Sequence, residues 1–310
     1  MVKSKREAAG GRGRSRKLSR KQERTKAKAG ARSRSSLPSS FWLVKQSFAI
    51  WRQHWRPLFG IMAVYLILNF LLAGGISRLN TAVNDIKINL SDSASHASAL
   101  SEVLAGFGVL TGNSGSAAGS TLQSVFIILT SLVVIWALRH LLAGQAVSIK
   151  QSFYSAMAPL IPFLLVILVI FLQLLPLSLG AAAFGAVLAN SLVVDGLVLA
   201  VIGGLFAAGA SWSIYMVSSS IFALYIVTLP NRQPRESLRL AKELVRYRRW
   251  EVVRKLLFLP LFVWASMILL IVPLILTVPL TVPPVFYALS ALAILFTHTY
   301  LYSLYRRLIE

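Results

Sequence analysis

Residues 158–229 read APLIPFLLVILVIFLQLLPLSLGAAAFGAVLANSLVVDGLVLAVIGGLFAAGASWSIYMVSSSIFALYIVTL, a stretch of 72 residues in which Asp195 is the only charge. As one helix it would run roughly 108 Å at 1.5 Å per residue. That is enough for two long tilted spans or three short ones across a hydrocarbon core about 30 Å thick. The flanking charges decide. Of 32 Lys and Arg residues, 17 lie in residues 1–56 and nine lie between Arg232 and Lys255. Lys and Arg resist translocation during insertion, so both basic segments belong on one side. Three spans would separate them, whereas two keep them together. The stretch therefore reads as spans 158–182 and 196–222, joined by an outer turn at Asp195.

Working outward, four more apolar runs occupy 58–76, 122–143, 256–279 and 283–304. The gap 77–121 holds only two basic residues, Arg78 and Lys87, and reads as an outer loop, while Arg306 and Arg307 close the chain on the basic side. The expectation is an all-α polytopic transmembrane bundle of six helices with both termini cytoplasmic. Composition agrees: 14% charged and 56% hydrophobic residues, against roughly 25% charged in a soluble domain. The net charge of +22 is concentrated, since residues 1–40 carry 14 basic and two acidic side chains and residues 230–255 carry nine and three. There is no cysteine, which excludes disulfides, zinc-thiolate sites and thiol nucleophiles. The first apolar run follows a leader too long for a signal-peptide n-region and is long enough to span, so it reads as an uncleaved first helix.

Residues 1–37 consist mainly of Lys, Arg, Ser, Gly and Ala. Nothing in such a composition offsets the entropy of ordering, and a disordered basic cytoplasmic tail is expected. From Pro38 the pattern changes. Phe41, Val44, Phe48, Trp51 and Trp55 recur along one helical stripe, which predicts an amphipathic helix in the membrane interface ended by Arg56-Pro57. Lys45-Gln46-Ser47-Phe48 recurs as Lys150-Gln151-Ser152-Phe153, and Glu236-Ser237-Leu238 is a weaker third version. Each copy precedes a pair of apolar runs. The six-span domain 38–310 is thus expected to contain three helix-hairpin repeats, each an interfacial helix followed by a transmembrane hairpin.

The segment 230–255 is the candidate site. Leu238, Ala241, Leu244 and Val245 form an apolar stripe, with Arg235, Arg239, Lys242, Arg246, Arg248, Arg249, Arg254 and Lys255 as candidate contacts for anionic lipid. Juxtamembrane cations gain on the order of 1 kcal/mol each near an anionic leaflet. A topology determinant without any ligand would look the same. Trp42, Trp51, Trp55 and Trp250 are candidate interfacial anchors. Residues 10–16 resemble an Arg-Gly segment of RNA-binding tails, but the tail has no aromatic residue for stacking, so nucleic-acid or ribosome contact is not expected of it.

Within the spans, Asn69, Gln173, Arg139, His140 and His298 are the main polar groups, and Arg139 can snorkel to the interface. Ala200, Gly204 and Ala208, and beside them Gly203, Ala207 and Ser211, form rows of small residues that let another helix approach. They nominate span four as the bundle's centre. Pro176, Pro260 and Pro273 are expected to kink their helices. Enzymatic signatures are missing: no His-Glu-x-x-His, no Gly-x-Ser-x-Gly and no Walker lysine. No metal or cofactor is expected. Gly112-Asn113-Ser114-Gly115-Ser116 reads as flexible loop, Asn89-Leu90-Ser91 fits a glycosylation sequon, and residues 99–110 are apolar enough for a surface helix.

Ser237-Leu238-Arg239-Leu240-Ala241-Lys242-Glu243-Leu244, followed by Arg249-Trp250 and a span, resembles a poorly characterised group of bacterial six-helix membrane proteins. That group is similar to the membrane domain found beside some glycerophosphodiester phosphodiesterases. The resemblance covers about residues 38–310 and implies a membrane part that is not the catalytic part. It carries over no active-site residue. The expected function is that of a non-catalytic inner-membrane protein that organises or binds lipid or protein partners, including a second copy of itself, at the cytoplasmic leaflet. A transporter or channel for an unidentified solute, built around Asn69, Gln173 or His298, is the alternative.

Overall fold

The computed structural model describes residues 37–73, 117–189, 196–230 and 232–310. Contacts divide the chain into Met1–Pro38 and Ser39–Glu310. The basic tail, the outer loop with its sequon and its apolar piece 99–110, and the turn at Asp195 lie outside the described residues.

Every described element is helical. They run α1 (Ser40–Gln53), α2 (Trp55–Ala73), α3 (Ala117–Leu142), α4 (Ile149–Ala156), α5 (Leu160–Ala189), α6 (Gly196–Ser220), α7 (Ala223–Ile226), α8 (Pro234–Val245), α9 (Arg249–Thr277), a 3₁₀ turn (Pro279–Thr281) and α10 (Val282–Ile309). Among the described residues six helices are long and apolar enough to cross a membrane: Trp55–Leu72, Thr121–Leu142, Leu160–Val187, Gly196–Ile226, Arg249–Ile275 and Val282–Ile309. The two-span reading of residues 158–229 holds. Pro57 differs from expectation, for it lies in the first turn of α2 rather than ending α1. The chain bends one step earlier, at His54, because proline is tolerated where a helical N–H has no intrahelical partner.

Local chemistry marks the boundaries. Ser39 caps α1 by accepting from the Trp42 N–H at 3.2 Å, and Ser148 caps α4 by accepting from the Gln151 N–H at 3.2 Å. α3 ends in a Schellman turn, in which the Gln145 N–H donates to the His140 carbonyl and the Gly144 N–H to the Leu141 carbonyl. Gly144 sits at φ 77°, where a side chain would be strained. α5 runs through Pro176, and the adjacent Leu177 N–H donates to Ser213 Oγ of α6 at 3.2 Å. A neighbouring helix thereby serves a backbone group near the proline, as the bilayer interior demands.

The short helices α1, α4 and α8 each precede a hairpin, respectively α2/α3, α5/α6 and α9/α10. Their shared serines are equivalent in structure as well as in sequence. Ser47, Ser152 and Ser237 are all fully buried. Each hydroxyl donates to the carbonyl four residues earlier, Leu43, Ser148 and Gln233, at 2.9, 2.9 and 3.0 Å. The docking is cyclic: α1 packs on α10, α4 on α3, and α8 on α6 and α7. Each short helix therefore leans on the last helix of the repeat before it, and the third repeat closes onto the first.

All three short helices gather at one end of the bundle. Arg307 near the end of α10 lies over the Trp42 ring of α1, Ile149 of α4 abuts Gly60 of α2, and Arg139 near the end of α3 donates to the Thr228 carbonyl beyond α7 at 2.8 Å.

The centre of the bundle is not span four, which is a correction. Spans two and six have 50% and 44% of their apolar windows buried, and span four has 6%. Ala200, Gly204, Ala207, Ala208 and Ser211 are exposed, and only Gly203 of those rows is half-buried, against Phe184. Close approach uses other glycines. Gly180 meets Phe206 and Gly209 meets the Pro176 carbonyl, with Phe184 stacked on Phe206 at 5.5 Å. These contacts pair α5 with α6, and the pair sits beside the core rather than in it. Small-residue spacing predicts that a helix can be approached, not which neighbour does so.

Spans one and six are joined by a polar clasp. Asn69 is buried, donates to Tyr65 Oη at 3.1 Å, and accepts from Tyr287 Oη at 3.0 Å. Interhelical bonds of this kind contribute ~0.6 kcal/mol on average in membranes, and Asn69→Leu leaves two hydroxyls without their partner. A loss of about 1 kcal/mol of stability in a detergent unfolding titration is expected. An unchanged midpoint would contradict the clasp.

Candidate anionic-headgroup site

The site is built where α8 lies beside the C-terminal end of α6 and the first half of α5. α8 opens after extended Gln233, as the residue before a proline prefers, with Pro234 in its first turn. Its buried face is Ser237, Ala241 and Val245, at helical spacing. Leu238 and Leu244, expected on that face, are half-buried at its edges. The displacement turns Arg235, Arg239 and Lys242, spaced i, i+4 and i+7, toward α5 and α6.

They border a cavity of about 660 Å³. Val169 and Gln173 of α5, Tyr215, Met216, Ser219 and Ser220 of α6, Gln233 and Leu238 beside the α8 cations, and Arg249 at the start of α9 also line it. Four cations thus converge on one space. Glu236 also lines it but is held by Arg232, one turn away on the chain. The Arg249 guanidinium lies 4.2 Å from the centroid of the Tyr215 ring, a cation–π contact that fixes its plane. Its Nε is buried without a hydrogen-bond partner, and so is Oε1 of Gln173. Buried polar atoms are nearly always bonded, and both residues with an unbonded atom line this cavity.

Four of the eight expected lipid contacts, Arg235, Arg239, Lys242 and Arg249, come together in this way. Arg246 and Arg254 are exposed away from the cavity, and Arg248 is half-buried at the start of α9. Lys255 is a correction: it is only 4% exposed, and its carbonyl accepts from Tyr300 Oη at 3.3 Å. It falls on the face of α9 that packs against α10, a placement that charge alone does not reveal.

The tryptophans divide similarly. Trp55 and Trp250 are exposed by 57% and 78%, as anchors must be. Trp42 is half-buried beneath Arg307. Trp51 is corrected from anchor to packing residue, because its indole N–H donates to Thr299 Oγ1 at 3.2 Å and its ring touches Phe48, Phe59 and Phe296. The face of α1 that buries is Leu43, Ser47 and Ile50. Phe41, Phe48 and Trp55 of the sequence stripe face outward, so α1 is apolar on two sides.

Other polar groups are committed elsewhere. His140 stacks on Trp136 at 3.8 Å, and its Nδ1 donates to the Trp136 carbonyl at 2.9 Å. With Arg139 it lines a second cavity of about 630 Å³ at the ends of α3 and α7. His298 is buried with its Nδ1 3.3 Å from Tyr225 Oη. Asn69, Gln173 and His298 therefore sit in three separate environments. Among the described residues no group of three His, Asp or Glu side chains could hold a metal ion.

Gln173 is the site residue that charge-based reading passes over. Its signal was present, as the one amide in residues 158–182, but only the structure brings it beside α8. No family model, curated protein or solved structure matches the chain.

Proposed function

We propose that this is a non-catalytic, multi-pass membrane protein that holds anionic lipid headgroups at the cytoplasmic leaflet of the bacterial inner membrane. One observation carries the reading. Arg235, Arg239, Lys242 and Arg249 border a single cavity between α5, α6, α8 and α9, with one of their donors buried and unpartnered. A row of cations that only sets topology needs no cavity and no convergence. Basic pockets between transmembrane helices at the cytoplasmic side suit phospholipid headgroups. Exposed Leu165, Leu168 and Leu172 of α5 and Trp212 of α6 offer apolar surface for acyl chains. The crowding of Lys and Arg at this end supports the cytoplasmic orientation.

The test is lipid titration of the purified full-length protein in a neutral detergent, read by native mass spectrometry and by melting temperature. Phosphatidylglycerol should bind and raise the melting temperature, and phosphatidylcholine should do neither at the same concentration. The difference should shrink as salt is raised, because the headgroup contacts are charged and partly solvated. Equal binding of the two lipids at low salt would refute the proposal.

A further inference from the structure

The cavity's two walls differ in hydrogen-bonding character. On the side of α8 and α9, Arg235, Arg239, Lys242 and Arg249 bring donors, beside the Gln233 amide and a Glu236 carboxylate already paired with Arg232. The facing wall carries acceptors. Gln173 lies in it, and its buried Oε1 has no hydrogen-bond partner. Ser219 and Ser220 each donate their proton to the Met216 carbonyl, at 2.8 and 3.3 Å, which leaves their oxygens free only to accept. Val169, Met216 and Leu238 supply apolar lining between the walls.

A bare phosphate monoester satisfies the first wall and leaves the second unmet. A headgroup with an ammonium, such as ethanolamine, would donate to the second wall but brings a positive charge among four cations. We infer that the ligand is a phosphodiester whose headgroup carries hydroxyls, its phosphate accepting from Arg249 and the α8 cations while a hydroxyl donates to Gln173. A hydroxyl meets the Gln173 amide in either orientation of its two ends, since it both donates and accepts. This rests on the headgroup reading above and specifies its chemistry. The same polyol phosphate could arrive as a lipid or as a free, deacylated molecule. The apolar lining and the exposed flanks of α5 and α6 assign it to a lipid.

The experiment compares phosphatidylglycerol, phosphatidic acid, phosphatidylcholine and soluble glycerophosphoglycerol, each titrated into the full chain and read by native mass spectrometry. Wild type should prefer phosphatidylglycerol over phosphatidic acid by about tenfold, the scale of one or two neutral hydrogen bonds in a shielded site. Gln173→Leu should reduce that preference to within about twofold, with a circular-dichroism spectrum like that of wild type showing that the variant is folded. Arg249→Gln should weaken both lipids. Equal binding of the two anionic lipids by wild type would overturn the inference while leaving the anionic-headgroup reading intact, as would a preference that survives Gln173→Leu. Glycerophosphoglycerol bound as tightly as the intact lipid would overturn the assignment to a lipid. Phosphatidylcholine bound as tightly as either anionic lipid would remove both readings together.

Discussion

Replacing Arg235, Arg239, Lys242 and Arg249 together by Gln is expected to weaken phosphatidylglycerol binding roughly a thousandfold. Each cation near an anionic headgroup contributes about 1 kcal/mol, and the four border one cavity, so the loss approaches ~4 kcal/mol. Arg249 bears the largest single share. Its guanidinium is already held over the Tyr215 ring at 4.2 Å, so a charge-assisted bond to the ligand costs it little further ordering. The control is Arg246→Gln with Arg254→Gln, two exposed cations on the same segment that do not line the cavity. That pair should change affinity several-fold at most, as exposed charges do. Arg232, Arg246, Arg248 and Arg254 remain in the fourfold variant to hold the topology. If both sets of substitutions weakened binding equally per charge, headgroups would be attracted by the basic end as a whole and not by the cavity.

The second large effect concerns the three buried serines. Ser47, Ser152 and Ser237 have no exposed surface, and their hydroxyls bond only to their own helices. Replacement by Ala removes a local bond and little volume, so it should be nearly neutral. Replacement by Leu adds three carbons where each short helix leans on the preceding repeat, and overpacking of this kind costs about 1–3 kcal/mol. Ser47→Leu, Ser152→Leu and Ser237→Leu should therefore each lower the unfolding midpoint in detergent, and their Ala counterparts should not. A Leu variant as stable as wild type would show that its helix docks loosely and would break the equivalence of the three repeats. Ser237→Leu has a further consequence, since it displaces α8 and should also weaken lipid binding.

The spans were legible because hydropathy and charge act on every residue of a long segment. The 72-residue run could be divided only two ways, and the positive ends of the chain chose between them. The repeat was legible through Lys45-Gln46-Ser47-Phe48 and Lys150-Gln151-Ser152-Phe153 because the shared serine is needed by the packing. Burial within the bundle was much less legible. In a bilayer both lipid-facing and core-facing surfaces are apolar, so periodicity no longer marks the inside. For that reason the stripe through Phe41, Phe48 and Trp55 faces outward while Leu43, Ser47 and Ile50 pack, and the small residues of span four lie exposed.

The candidate site was half legible. Arg235, Arg239 and Lys242 follow helical spacing, and Arg249 follows them at the same rhythm. What local sequence could not supply is the opposite wall, because Gln173 is 62 positions before Arg235 in the chain. Lys255 shows the converse. By charge it belongs with its neighbours, but one helical position turns it into the contact between α9 and α10.

The most direct test is an experimental structure of the full-length protein in nanodiscs containing phosphatidylglycerol and phosphatidylcholine. The account predicts density for one headgroup between α5, α6 and α8, with its phosphate within hydrogen-bonding distance of Arg249 and its glycerol against Gln173. An empty or solvent-filled cavity, with lipids spread evenly around the rim of the bundle, would contradict it.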